Sequence, residues 1–113
     1  MKNQILLGKN LEQLNKFVSC HSFKKNQVIF YEGHIPYGLF ILFEGEIEII
    51  EKNWKRRVSP ISIIEKNIFF EKQVYNSTAK SIADSKLYFL STESYMKLKE
   101  NNHFIIKMIE ELK

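Results

Sequence analysis

One cysteine, two prolines and four glycines are spread over 113 residues, and no apolar run comes near the roughly 20 residues a membrane-crossing helix needs. A lone Cys20 excludes an internal disulfide. It also excludes a thiolate cage for zinc or an iron–sulfur cluster, and a reducing cytoplasm is the location expected. The polar start Met1-Lys2-Asn3-Gln4, followed by only Ile5, Leu6 and Leu7, does not make a signal peptide. Asn76-Ser77-Thr78 spells a glycosylation sequon that a cytoplasmic protein would never have read. The net charge of +4 is modest and its lysines are scattered, which describes a solvated surface. What the chain has instead is apolar mass: 44% hydrophobic residues, with nine Phe, five Tyr and one Trp. That composition packs one globular domain and leaves no length for a second.

Residues 23–50, FKKNQVIFYEGHIPYGLFILFEGEIEII, carry turn residues between short apolar runs. Gly33 and Gly38 stand where a turn needs positive φ or a close backbone approach, and Pro36 fixes φ between them. Leu39 to Phe43 is a continuous apolar run, which predicts a strand covered on both faces. Glu46, Ile47, Glu48 and Ile49 alternate, which predicts a strand with one wet face. Upstream, Leu11, Leu14, Phe17 and Val18 fall at helical spacing and predict an amphipathic entry helix over 9–20. Downstream, a hairpin turn is expected at Lys52 to Arg57, a return strand from Val58 to Ile64, irregular chain over 68–78, and strand over 80–90 with Ile82, Leu87 and Phe89 in the core. After Leu90 the period lengthens. Ser91 or Thr92 caps a helix bearing Tyr95, Met96 and Leu98, and a last helix starts near His103.

Phe23, Lys24, Lys25, Val28, Ile29, Phe30, Glu32, Gly33, Pro36, Leu39, Phe40, Ile41, Leu42, Gly45 and Ile47 together follow the opening phrase of a known family. The chain resembles the cyclic nucleotide-binding domain shared by the catabolite activator protein, kinase regulatory subunits and gated channels. The resemblance implies a mainly β fold, a double-stranded β-helix or jelly-roll barrel flanked by helices. It divides the single domain 1–113 into an N-terminal helical segment (1–22), a barrel (23–90) and C-terminal helices (91–113).

In that family a cassette holds the ligand: a Gly-Glu pair, a one-turn helix, then Arg, a small residue and Ala. Helix N–H groups face the cyclic phosphate, the Arg forks onto it, and the Glu accepts from the ribose. The resemblance aligns Glu71 with the ribose carboxylate, Phe70 with the glycine, Ser77 with the arginine, and Thr78 and Ala79 with the residues after it. Five residues separate Glu71 from Ser77, so the phosphate-facing helix is trimmed and the cation is gone. Removing one partner of a buried charge pair costs about 3–5 kcal/mol, on the order of a thousandfold in affinity. Lys80 sits an odd number of residues from Ser77 and points to the opposite strand face. Phe70 and Tyr75 are expected to fill the emptied pocket.

The resemblance thus implies a non-enzymatic regulatory domain that does not take cAMP or cGMP in the usual way and acts through dimerisation or partner docking. No cofactor is predicted. The alternative is a small-ligand sensor, the effector part of a transcriptional regulator, binding a cyclic nucleotide or another anion through Glu71, Lys72, Ser77, Thr78 and Ala79. No helix-turn-helix follows the barrel within this chain. A cupin-like metalloenzyme would need an inward cluster of histidines and carboxylates, and His21, His34 and His103 do not supply that spacing. His34 reads as a turn residue, and Cys20 beside His21 reads as a half-buried structural thiol at a helix end. Two surfaces remain. Trp54, Lys55, Arg56 and Arg57 join the only tryptophan to cations at the expected hairpin tip, a grip for single-stranded nucleic acid or an acidic partner, or else a solvated hairpin with its indole folded back. Ile105, Met108, Ile109 and Leu112 give the last helix an apolar face for a two-fold dimer, or a lid over the barrel mouth.

Overall fold

The computed structural model describes residues 14–112 and arranges eight strands in two four-stranded antiparallel sheets. The strands are β1 (Ser19–Phe23), β2 (Val28–Phe30), β3 (Gly38–Glu44), β4 (Ile47–Glu51), β5 (Trp54–Val58), β6 (Ser62–Ile64), β7 (Thr78–Ser81) and β8 (Ser85–Ser91). One sheet runs β1-β8-β3-β6 and the other β2-β7-β4-β5. Three helices interrupt or follow them: α1 (Lys66–Phe70), α2 (Thr92–Glu100) and α3 (Phe104–Glu111). This is the jelly-roll barrel with flanking helices that the sequence predicts. Among the described residues no helix is long and apolar enough to cross a membrane.

Gly33 and Gly45 take positive φ, at 90° and 99°, where the chain reverses beside β2 and between β3 and β4. Gly38 is needed for space instead, since a Cβ there would collide with the Leu90 carbonyl and the Phe89 ring across the β3–β8 pair. Leu39, Ile41 and Leu42 are buried on β3, while Ile47 and Ile49 are buried on β4 with Glu48 between them less so. The run and the alternation therefore do what their patterns imply.

Several boundaries differ from the sequence reading. The helical entry stops short of Ser19, because residues 19–23 form β1 along β8, from Ser19 opposite Phe89 to Phe23 opposite Ser85. Leu14 is buried in the core, whereas Leu11 lies outside the described residues. Cys20 is exposed on β1, so it is neither a half-buried thiol nor at a helix end. The hairpin turn is only Lys52-Asn53, and Trp54 to Arg57 are strand paired with Glu51 to Glu48. Part of the stretch expected to be irregular is α1. Ile82 is only partly buried, in the bend between β7 and β8, while Leu87 is fully buried.

The two later helices start as their capping residues dictate. The Ser91 side chain accepts from the Ser94 N–H at 3.1 Å, with Glu93 in the first turn. The His103 ring, through Nδ1, accepts from the Ile105 N–H at 3.2 Å. Tyr95 and Leu98 of α2 turn inward, but Met96 is exposed. On α3, Ile105, Ile106, Met108 and Ile109, with Leu112 just beyond, are buried against Leu14, Leu39, Ile41 and Leu90 of the same chain. Ile105, Met108, Ile109 and Leu112 are thus core and not a free dimer face, because docking on the outer side of the β3–β8 sheet consumes their area. Phe104 alone of the α3 apolars stays exposed.

Candidate functional site

The cassette starts from a turn at Glu65, whose φ of 52° swings the chain from β6 into α1. Five residues make α1, and it stops where its N–H groups are spent internally: Glu71 N–H donates to Asn67 at 2.9 Å, Lys72 N–H to Phe69 at 3.2 Å and Gln73 N–H to Ile68 at 3.0 Å. Lys72 takes φ 55° and reverses the chain. From Gln73 to Ser77 there is no helix. The loop is stapled to the β2–β3 connection instead, with Tyr75 N–H donating to His34 O at 3.0 Å and Gly33 N–H donating to Tyr75 O at 2.7 Å. No helix N-terminus with free N–H groups stands between Glu71 and Ser77.

Those staples direct Tyr75 inward. Its ring stacks on Phe30 with centroids 3.6 Å apart and planes 7° from parallel, and only 5% of the residue is exposed. Around it lie Leu42, Ile47, Ile49, Ile64, Ile68, Ala79 and Leu87, which close the barrel interior as an apolar core. Burial, with the Glu65 carboxylate adding to it, pushes the Tyr75 phenol up to about 12 from 10.0. The folded state therefore holds that proton through a pH range in which the unfolded chain has lost it. Stability contributed by Tyr75 is complete below pH 10 and declines as pH rises from about 10 to about 12. Urea unfolding across that range should show the decline, and Tyr75→Phe should abolish that portion of it while leaving stability at neutral pH nearly unchanged. An unaltered alkaline profile in Tyr75→Phe would mean the phenol is not buried.

Burial alternates along β7, with Ser77, Ala79 and Ser81 buried and Thr78 and Lys80 less so. Lys80 stands opposite Glu48 on the other face from Ser77, as its odd spacing requires. Glu71 and Lys72 are exposed at the end of α1. Thr78 Oγ1 is already engaged, accepting from the Glu32 N–H at 3.1 Å. Ser77 Oγ is buried and has no hydrogen-bond partner among the described residues. The five expected ligand residues are thus split between an exposed turn and an inward strand, with the Tyr75 ring in the interior beside them. Phe70, expected to share the filling, packs elsewhere, on Tyr95 at 5.6 Å beside Phe69. A neutral, buried hydroxyl stands at the position that the resemblance aligns with the family's forked cation.

The expected basic surface is present, but on a strand. Trp54 is 46% exposed, Arg56 lies over its ring at 5.9 Å, and Arg56 also forms an ion pair with Glu65. These contacts latch β5, an edge of one sheet, to the turn after β6, an edge of the other. The indole is therefore about half covered, with Arg56 over its ring. A cleft of about 580 Å³ lies along this seam, lined by Arg56, Arg57, Ser59, Ser62, Glu65, Lys66 and Asn67 among others.

Sequence reasoning missed a second surface. Tyr31, Ile35 and Tyr37 are exposed on the β2–β3 loop, and Val74 and Met96 are exposed beside it. Two apolar clefts, about 670 and 420 Å³, share Ile35 between them, and Lys72 lines the smaller. The signal was present in Tyr31-Glu32-Gly33-His34-Ile35-Pro36-Tyr37, three large apolar residues inside a turn that ought to be polar. His34 belongs to this loop, with its ring 5.6 Å from Tyr31. No group of three or more His, Cys, Asp or Glu side chains stands together among the described residues.

Comparison with known proteins agrees with the geometry of the barrel. The family model for the cyclic nucleotide-binding domain matches residues 20–102. No curated protein matches the sequence. Among solved structures the chain is similar to a cyclic nucleotide-binding domain from Methylobacillus flagellatus, with TM-score 0.78, 14% identity, and 90% of this chain and 61% of that one covered. It is similar to the Thermus thermophilus catabolite activator protein, with TM-score 0.75, 14% identity, and 90% and 51% covered. A putative cyclic nucleotide-binding protein from Geobacter metallireducens gives 0.71, 20%, and 90% and 77%. The chain spans about half the length of the Thermus protein, and at these identities the likeness is one of fold. The family is of the regulatory, signalling kind, and its name carries a cyclic nucleotide as the ligand to be tested. With eight strands in jelly-roll order, capped helices behind them and a matched span of residues 20–102, the chain belongs to the cyclic nucleotide-binding domain family.

Proposed function

We propose that this chain is a regulatory domain that does not take cAMP or cGMP in the manner of its family and acts instead by docking on a partner protein or a second copy. The stacking of Tyr75 on Phe30 carries the reading, since the ring occupies the barrel interior beside a cassette that offers a serine for an arginine. Catalysis forms no part of it. Among the described residues no group of three or more His, Cys, Asp or Glu side chains stands together to hold a metal.

Titration calorimetry and thermal shift with cAMP and cGMP test it. A competent site at a hundred times its dissociation constant would stabilise the fold by about 2.7 kcal/mol. The expected result is no saturable heat and no shift. Saturable binding at micromolar concentration sinks the reading.

One observation favours a small-ligand sensor as the second reading. Ser77 Oγ and Ser81 Oγ are both buried without partners among the described residues, and two unsatisfied hydroxyls on one inward strand face are polar anchors that a small neutral or anionic molecule would use. Such a ligand would have to displace the Tyr75 ring. In that case the chain would be the effector part of a longer regulator, in keeping with the half of the Thermus protein that it spans.

A further inference from the structure

We infer that the free edge of β5 binds an extended, acidic segment of a partner protein by adding it to the sheet as a further strand. The inference deepens the docking half of the proposal above and rests on it. Among the described residues β5 is hydrogen-bonded only to β4, so one side of its backbone offers a row of N–H and C=O groups that no described strand pairs.

The chemistry of the strand selects the partner. In Trp54-Lys55-Arg56-Arg57-Val58 there is no acid. Its register places Lys55 opposite Ile50 and Arg57 opposite Glu48, on the outer face. Lys55 reaches Glu48 only at 4.0 Å, and Arg57 makes no ion pair among the described residues. Two such edges from two copies would bring six cations together, so a second copy is disfavoured here and a carboxylate-bearing strand is favoured. The seam beside the edge has room for the incoming side chains, and Arg56, Arg57 and Lys66 outnumber the one carboxylate, Glu65, that lines it. Single-stranded nucleic acid fits less well. It cannot use the backbone ladder, and the indole on which a base would stack already shares a face with Arg56.

The test uses the whole chain and three labelled probes: a short capped peptide alternating glutamate and valine, the same peptide with lysine for glutamate, and oligothymidylate. Binding is read by anisotropy at low salt, and amide hydrogen exchange is followed in β5. The expected result is saturable binding of the glutamate peptide alone, slower exchange at the β5 amides, and affinity weakened about tenfold in Lys55→Gln/Arg57→Gln. That double variant spares the Arg56–Glu65 pair, and its melting curve confirms that it folds. No binding of the glutamate peptide, binding that the double variant leaves unchanged, or preferred binding of oligothymidylate without protection of β5 would each overturn the inference. Titration of cAMP into the same samples separates the two claims: nucleotide binding defeats the proposed function and leaves the edge result standing, whereas failure of the peptide with no nucleotide binding defeats only the edge.

Discussion

Replacing Tyr75 with alanine should destabilise the fold by about 3–5 kcal/mol, the cost of deleting a large buried aromatic side chain. The ring is nearly fully buried, lies face to face with Phe30 and borders the apolar core of the barrel. Its removal forfeits the transfer free energy and leaves a cavity against Phe30 in the barrel core. A domain of this size has only about 5–15 kcal/mol in total, so the variant should unfold at much lower urea. Tyr75→Phe keeps the ring and should unfold close to the parent at neutral pH. A loss below about 1 kcal/mol in the alanine variant, the range of surface substitutions, would mean that the ring is not structural filling and that the barrel interior is open to a ligand.

Ile109→Ala should cost about 2–5 kcal/mol, and the loss should not depend on protein concentration. Ile109 is fully buried among Leu14, Leu39, Ile41 and Leu90 of its own chain. Were α3 a seam between two subunits, the same substitution would act through association, and the melting temperature of the parent would climb with concentration. Melting curves at two concentrations a hundredfold apart distinguish the cases. A concentration-dependent parent together with an unaffected variant core would restore the helix as a dimer face.

The barrel was legible because its strands carry period-two patterns and its glycines stand where φ or space demands them. β5 was misread because Lys55, Arg56 and Arg57 hide alternation: both faces of an exposed edge strand carry cations, and Arg56 interrupts Trp54 and Val58 on the face that meets Ile47 and Ile49. β1 was misread for a related reason, since Ser-Cys-His-Ser-Phe is exposed over its first four residues and is held by its ladder to β8 rather than by burial. At five residues, α1 is too short to show a 3.6 period. For α3 the apolar stripe was plain, but a stripe does not say whether its cover is the same chain or another. At the site, the resemblance aligns Ser77 with the family's arginine and leaves five residues between it and Glu71, a span in which the structure shows no helix. That Tyr75, and not Phe70, fills the barrel depends on two backbone hydrogen bonds to His34 and Gly33, and spacing holds no trace of them.

The strand order has a consequence for how the chain acquires its structure. Among the described strands only β4–β5 is a local hairpin, while Ser19 on β1 waits for Phe89 on β8 and Val28 on β2 waits for Lys80 on β7. Contacts so distant along the chain slow folding, because loop closure is unfavourable before the pairing that offsets it can form. During synthesis the segments that become β1 and β2 emerge early and stay unpaired until nearly the whole barrel has left the ribosome. The nascent chain is thus exposed to aggregation over its own translation time, and the time taken to translate residues 24–91 sets how long that exposure lasts.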